Sequence, residues 1–236
     1  MAVTRPNNPN SVFVQGWNAV KAVWPPMVLI QTACLLVVIG FYIYEPITLW
    51  LEAFGKFKSE WGLLFVVSSG FLAGGILPEI AKAILGRIKQ FNAAWLKSTL
   101  YTGAVYALIT FLVDRLFITQ TILFGETTSW QILLYKVAFD QLVFSPLISI
   151  PLAVGLFGWK DAGFKSSYFR SFFTWRHYKN HVMAPLVMCW FFWGPTVSFF
   201  YVLPERLHFV VSACCQGAWS LLFVFMVSDK TITPPE

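Results

Sequence analysis

Charged side chains inside apolar stretches are where this sequence could do chemistry, because each costs several kcal/mol in a bilayer unless it is paired or hydrated. Three pairs stand out. Glu79 and Lys82 are three residues apart and can meet on one helix face. Asp114 and Arg115 are adjacent, so they point in different directions and each is expected to pair with another helix. Lys136 and Asp140 are four apart on the segment entering an apolar run, and Gln141 follows at once. Two readings fit these groups. In one they are salt bridges that fix helix register. In the other Asp114, Arg115, Asp140 and Gln141 gather at one mouth of a hydrophilic path.

Small residues form a second pattern. Gly70 and Gly74 are four apart, with Ser69, Ala73 and Gly75 beside them. Such a stripe lets another helix backbone approach closely, either as tight packing inside a bundle or as the lining of a pore. The third pattern is basic and aromatic: Phe164, Tyr168, Phe172, Trp175 and Tyr178 recur at helical spacing among Lys165, Arg170, Arg176 and Lys179. It predicts an amphipathic helix lying in the membrane interface. Within it His177 and His181 are four apart, but without a third ligand nearby they do not define a metal site. No Gly-rich phosphate loop, GxSxG elbow or HExxH is present, so neither an enzyme nor a bound cofactor is expected.

The elements that must position these groups are read from the spacing of charge. A spanning helix needs about 20 mainly apolar residues, because each rises only about 1.5 Å and lipid offers backbone amides no partners. Runs without Asp, Glu, Lys or Arg cover 22–44, 61–78, 98–113, 141–159, 182–204 and 207–228. The third is short, but LFITQTILF after Asp114-Arg115 can prolong it. The last two are joined only by Glu205-Arg206. The fold class is therefore an all-α polytopic transmembrane helical bundle of about six spans, with five as the alternative. Its segments are a polar N-terminus with an additional span (1–47), the main bundle (48–230) and a short polar tail (231–236). Pro146 and Pro151 are expected to kink the fourth span.

Composition agrees. Of 236 residues, 57% are hydrophobic and only 12% charged, against about 25% charged in a soluble domain. With both ends on the inner side, that side carries 12 Lys and Arg and the outer side the remaining 5 of 17: Lys56, Lys58, Arg115, Lys136 and Arg206. This follows the positive-inside rule. The net charge of +6 is then topology and attraction to anionic lipid, and nucleic acid is excluded as a partner because no basic stripe sits on a soluble face. The expected partners are the lipid bilayer and small solutes, with a homo-oligomer left open. The polar start, MAVTRPNNPN, lacks the Arg-rich pattern of a transit peptide, so the first span is expected to be retained. All four cysteines fall inside apolar runs, where thiols act as small hydrophobes and imply no disulfide framework.

Three patches, in order, carry a family resemblance. YALITFLVDRLF ends in the pair Asp114-Arg115. YKVAFDQLVFSPL supplies Lys136, Asp140, Gln141, Phe144 and Pro146. FFYVLP, with Tyr201 and Pro204, is followed by an apolar run containing Trp219. Over residues 51–228 the chain resembles the peroxisomal membrane protein / Mpv-seventeen family. Departures are visible: Gly75-Ile76 replaces a Gly-Asp pair, Thr196 and Phe199 stand where Gln and Asn belong, and His208 takes an Arg position. The family is described with four spans, whereas the same region here holds five runs. The resemblance implies a channel or facilitator for small solutes or metabolites, in the mitochondrial inner or peroxisomal membrane of a eukaryote or the inner membrane of a bacterium. A non-conducting structural or assembly protein is the alternative.

Overall fold

A computed structural model describes residues 10–88, 90–126 and 129–229; the expected polar ends at 1–9 and 231–236 lie outside them. Helices α1 (Asn10–Ile43) and α2 (Glu45–Phe71) are separated by Tyr44 alone. A π-helical turn, Leu72–Ile76, carries α2 into α3 (Leu77–Ile84). After α4 (Ala93–Phe124) comes α5 (Trp130–Phe139), which runs through a second π-helical stretch, Asp140–Ser149, into α6 (Ile150–Asp161). Short helices α7 (Tyr168–Phe172) and α8 (Trp175–His177) follow, then a π turn at Tyr178–Val182, α9 (Met183–Phe200) and α10 (Glu205–Asp229). No strand occurs among the described residues.

Among the described residues, five helices are long and apolar enough to cross a membrane: Val23–Ile43, Glu45–Ile84, Ala93–Phe124, Trp130–Asp161 and Trp175–Phe200. The sixth expected span, 207–228, carries no Asp, Glu, Lys or Arg and is helical within α10. Its residues include His208, Ser212, Gln216 and Ser220, and three of these are buried against the other helices.

The Glu45–Ile84 segment has 40 residues, about 60 Å if straight, or twice the hydrocarbon thickness. It does not run straight, because Gly62 leaves helical geometry (φ 50, ψ −124). The charged half with Glu52, Lys56, Lys58 and Glu60 precedes that break, and the apolar half follows it.

Polarity in this bundle is turned inward. Ile43, Ile84, Ile122 and Leu147 are between 68% and 80% exposed, whereas Asp114, Gln120 and Lys136 are at most 2% exposed. In water such an outer surface would aggregate; in a bilayer it meets acyl chains. The molecule is a membrane-embedded all-α bundle.

Contacts fix the helix directions. Helix α1 runs parallel to α9: Gly16 lies against Ala184 and Val187, Gln31 against Phe191, and Tyr42 donates to the Val202 carbonyl. Helix α2 runs antiparallel to α4, from Lys58 beside Asp114 to Gly75 beside Gly103. Lys58, Arg115, Lys136 and Arg206 therefore share one end of the bundle, through pairs such as Arg206 with Glu52 and Gln120 with the Lys136 carbonyl. The other end holds Lys82 with Glu79, and Lys160 bonded to Ser98 and Thr102.

Four of the interior prolines, Pro78, Pro146, Pro151 and Pro195, follow one rule. Each removes an N–H and orphans a carbonyl, which in lipid must find another donor. Pro195 orphans the Phe191 carbonyl four residues back, and Gln31 Nε2 donates to it at 2.8 Å. In the π segments the orphan lies five residues back. Ser220 Oγ takes Ala73 for Pro78 (2.6 Å), Trp190 Nε1 takes Gln141 for Pro146 (2.6 Å), and Tyr178 OH takes Pro146 for Pro151 (2.9 Å). The prolines expected only to kink the fourth span thus also tie it to α9 and to the π turn before α9. Gln31→Leu is expected to cost about 0.6 to 1.7 kcal/mol, the range for such bonds in a membrane. The cost should shrink when Pro195→Ala restores the missing N–H. Equal costs in both backgrounds, read from detergent unfolding curves, would contradict the rule.

Candidate functional site

Small residues come first, because they set where helices can touch. A Cβ on Gly75 would lie 2.5 Å from the Gly103 Cα, and one on Gly74 would enter the Tyr106 ring. Gly70 meets Thr110 in the same way. The Gly70/Gly74 stripe is the packing seam between α2 and α4, and Gly70 also reaches the wall of an internal cavity.

That cavity, about 90 Å³, sits among α2, α4, the Asp140–Ser149 stretch, α9 and α10. It has room for about three water molecules. Its polar lining includes Ser69, Thr110, Asp140, Ser145, Ser149, Ser212 and Gln216. Along α4 the wall runs from Tyr106 to Phe117, about 16 Å of helix. Asp140 is 7% exposed; its Oδ2 accepts from the Tyr201 hydroxyl at 2.8 Å and its Oδ1 lies 3.5 Å from Ser145 Oγ. No Lys, Arg or His forms an ion pair with Asp140 among the described residues. A π-helical stretch beginning at Asp140 widens the helix where it meets the cavity, a geometry that recurs at functional sites.

The expected charges divide. Asp114 does not line the cavity. Its carboxylate, 2% exposed, takes Lys58 Nζ at 2.7 Å from α2 and also takes Arg115. Arg115 thus turns back to its own neighbour instead of pairing with another helix, and lies over Phe111. Lys136 is buried, with its carbonyl bonded to Gln120, and makes no ion pair with Asp140 among the described residues. The helix passes from α to π at Asp140, whose carboxylate reaches Tyr201. Gln141 is buried beside it, but no hydrogen bond of its side-chain amide is found among the described residues. Glu79 stands at the opposite end, accepting from Lys82 (2.6 Å) and from Trp95 Nε1 (2.7 Å). Of Asp114, Arg115, Asp140 and Gln141, Asp140 alone is in the cavity lining.

An aromatic layer lies between the cavity and the Lys58–Asp114 pair. Phe117 packs edge-on against Phe200, Tyr201 and His208, with centroids 5.9 to 6.0 Å apart. Lys58 Nζ lies 4.9 Å from the Phe209 ring centre. Sequence reasoning missed Lys58, Ser145 and His208 as members of these sites; Tyr201 was marked only through the family resemblance.

The expected amphipathic helix over 164–179 is broken. Phe164 has a positive φ (59°), α7 ends at Phe172, and Thr174 in extended geometry caps α8 by accepting from the His177 N–H. His177 and His181 stack with ring centres 4.4 Å apart. No group of three or more metal-ligating side chains is placed to hold an ion among the described residues.

The class defined by this fold and site is a membrane-embedded helical bundle with a buried acid in a largely apolar cavity. Compared with known proteins, the chain matches no family model, no curated protein and no solved structure.

Proposed function

We propose that the protein is a channel or facilitator that passes small solutes through the Asp140 cavity, without a covalent step or bound cofactor. The observation that carries this reading is a carboxylate buried in the bundle with two hydroxyls and no ion-pair partner among the described residues. Such a group is expensive in a membrane and is characteristic of solute pathways. Asp140, Ser145 and Tyr201 would form the polar constriction, with Phe117, Phe200 and Phe209 as its apolar wall. The family resemblance adds support, since Asp140, Phe144 and Tyr201 are among the residues that carry it. On that reading the chain belongs to the peroxisomal membrane protein / Mpv-seventeen family and to the membranes that family occupies.

Efflux from liposomes tests it, with wild type beside Asp140→Asn and empty vesicles. Wild-type flux above the empty vesicles is expected to fall about tenfold or more in the variant, the effect of about 1.4 kcal/mol. Flux equal in both proteins at equal folded abundance would remove Asp140 from the path. No wild-type flux for ions, sugars or organic acids would favour the structural alternative, which the close α2–α4 seam also suits.

A further inference from the structure

A second pocket, about 390 Å³, opens at the bundle end that holds Lys160, where α6, α7, α8 and the following π turn meet. Its volume falls within the range of about 300–1,000 Å³ typical of small-molecule sites, unlike the Asp140 cavity. The floor is Gly158, and the walls are Tyr168, Thr174, Arg176, His177, Asn180 and His181. These side chains offer a guanidinium, two imidazoles, an amide and two hydroxyls, with no carboxylate among them. Arg176 makes no ion pair among the described residues.

The walls are held in place. A Cβ on Gly158 would run into the Tyr168 hydroxyl, so glycine lets that ring lie against α6. Tyr168 stands edge-on to His177 at 5.8 Å, and Thr174 anchors the His177 backbone at 3.2 Å. Next door, Trp175 stacks on Tyr178, whose hydroxyl is tied to the Pro146 carbonyl. Charge is one-sided as well: residues 160–182 contain Lys160, Lys165, Arg170, Arg176 and Lys179 against Asp161 alone, a balance of +4.

From this geometry we propose that the pocket binds a phosphate-bearing anion. A guanidinium with an amide donor and two imidazoles in the same walls matches the several acceptor oxygens of a phosphate, and Arg engages two of them at once. The phosphate would come either from a soluble compound or from a lipid headgroup, since the pocket lies at the membrane-interface end of the bundle. The proposal stands apart from solute flux at Asp140.

The test uses the full chain in maltoside micelles, by calorimetric titration with inorganic phosphate and pyrophosphate, with chloride as comparison. A parallel arm measures retention of phosphatidic acid by native mass spectrometry. Saturable binding in either arm is expected, weakened about tenfold or more by Arg176→Gln, the loss of one charge-assisted contact. Lys165→Gln, which removes a charge from the same stretch outside the pocket, should leave binding unchanged. Binding of the soluble anions assigns a soluble phosphate compound; binding of phosphatidic acid alone assigns a headgroup. Absence of saturable binding in both arms, or equal weakening by both variants at equal helix content, would overturn the proposal.

Discussion

Gly75→Val is expected to leave little or no folded protein in detergent. The added side chain would point at backbone: the first carbon alone would sit 2.5 Å from the Gly103 Cα and 2.9 Å from its nitrogen. A flexible side chain can swing away from such an intrusion, but a packed helix backbone cannot. Overpacking usually costs about 1–3 kcal/mol where side chains can yield, and more is expected here because α2 and α4 must separate. A total stability of about 5–15 kcal/mol leaves little margin. Gly194→Ala is the matched control, because nothing lies within 4 Å of its added carbon. It should be neutral or slightly stabilising, as alanine is the better helix former. Size-exclusion profiles and unfolding midpoints would decide the matter; a well-folded Gly75→Val protein would refute the α2–α4 seam.

Asp114→Ala is expected to destabilise the fold by about 2–3 kcal/mol while leaving flux per folded molecule unchanged. Removing one partner of a buried ion pair costs about 3–5 kcal/mol, because the other charge is stranded. The figure is reduced here because the Lys58 side chain is 22% exposed and Arg115 50% exposed, so both can turn to the interface. Lys58→Met should cost less than Asp114→Ala, since Asp114 keeps Arg115. The Lys58→Met/Asp114→Ala double variant should cost less than the sum of the two. If Asp114→Ala stayed stable but lost flux, the residue would belong to the solute path after all.

These two sites show where sequence reasoning succeeds and where it stops. The first expected span, 22–44, falls on α1 and ends within one residue of its last residue, Ile43, because apolar length in lipid is a one-dimensional property. The third run, prolonged by LFITQTILF, ends at Phe124 as the helix does, whereas the fourth began at Gln141 and its helix starts at Trp130. Charge was taken as the edge of the membrane, yet Asp114 and Lys136 are charges the bundle buries within its helices. Lys58, the partner of Asp114, lies on another helix and leaves no local pattern. Tyr201 meets Asp140 across 61 residues, which neither periodicity nor spacing reports. The interfacial helix over 164–179 failed for a different reason: its aromatic period continued through Phe173 and Thr174, where an N-cap restarts the helix.

The parallel pairing of α1 with α9 has a consequence for the order in which the chain is made. Gln31 and the carbonyl it serves are 160 residues apart. At about 5–20 residues per second, the ribosome needs roughly 8–32 s to deliver that partner. Throughout this interval α1 stands in the bilayer with a polar amide and an uncovered face of Val20, Met27 and Ile30, while α2 to α6 are laid down beside it. Helix α1 is thus seated only after α9 is made, and its retention beside the growing bundle is a requirement of biogenesis.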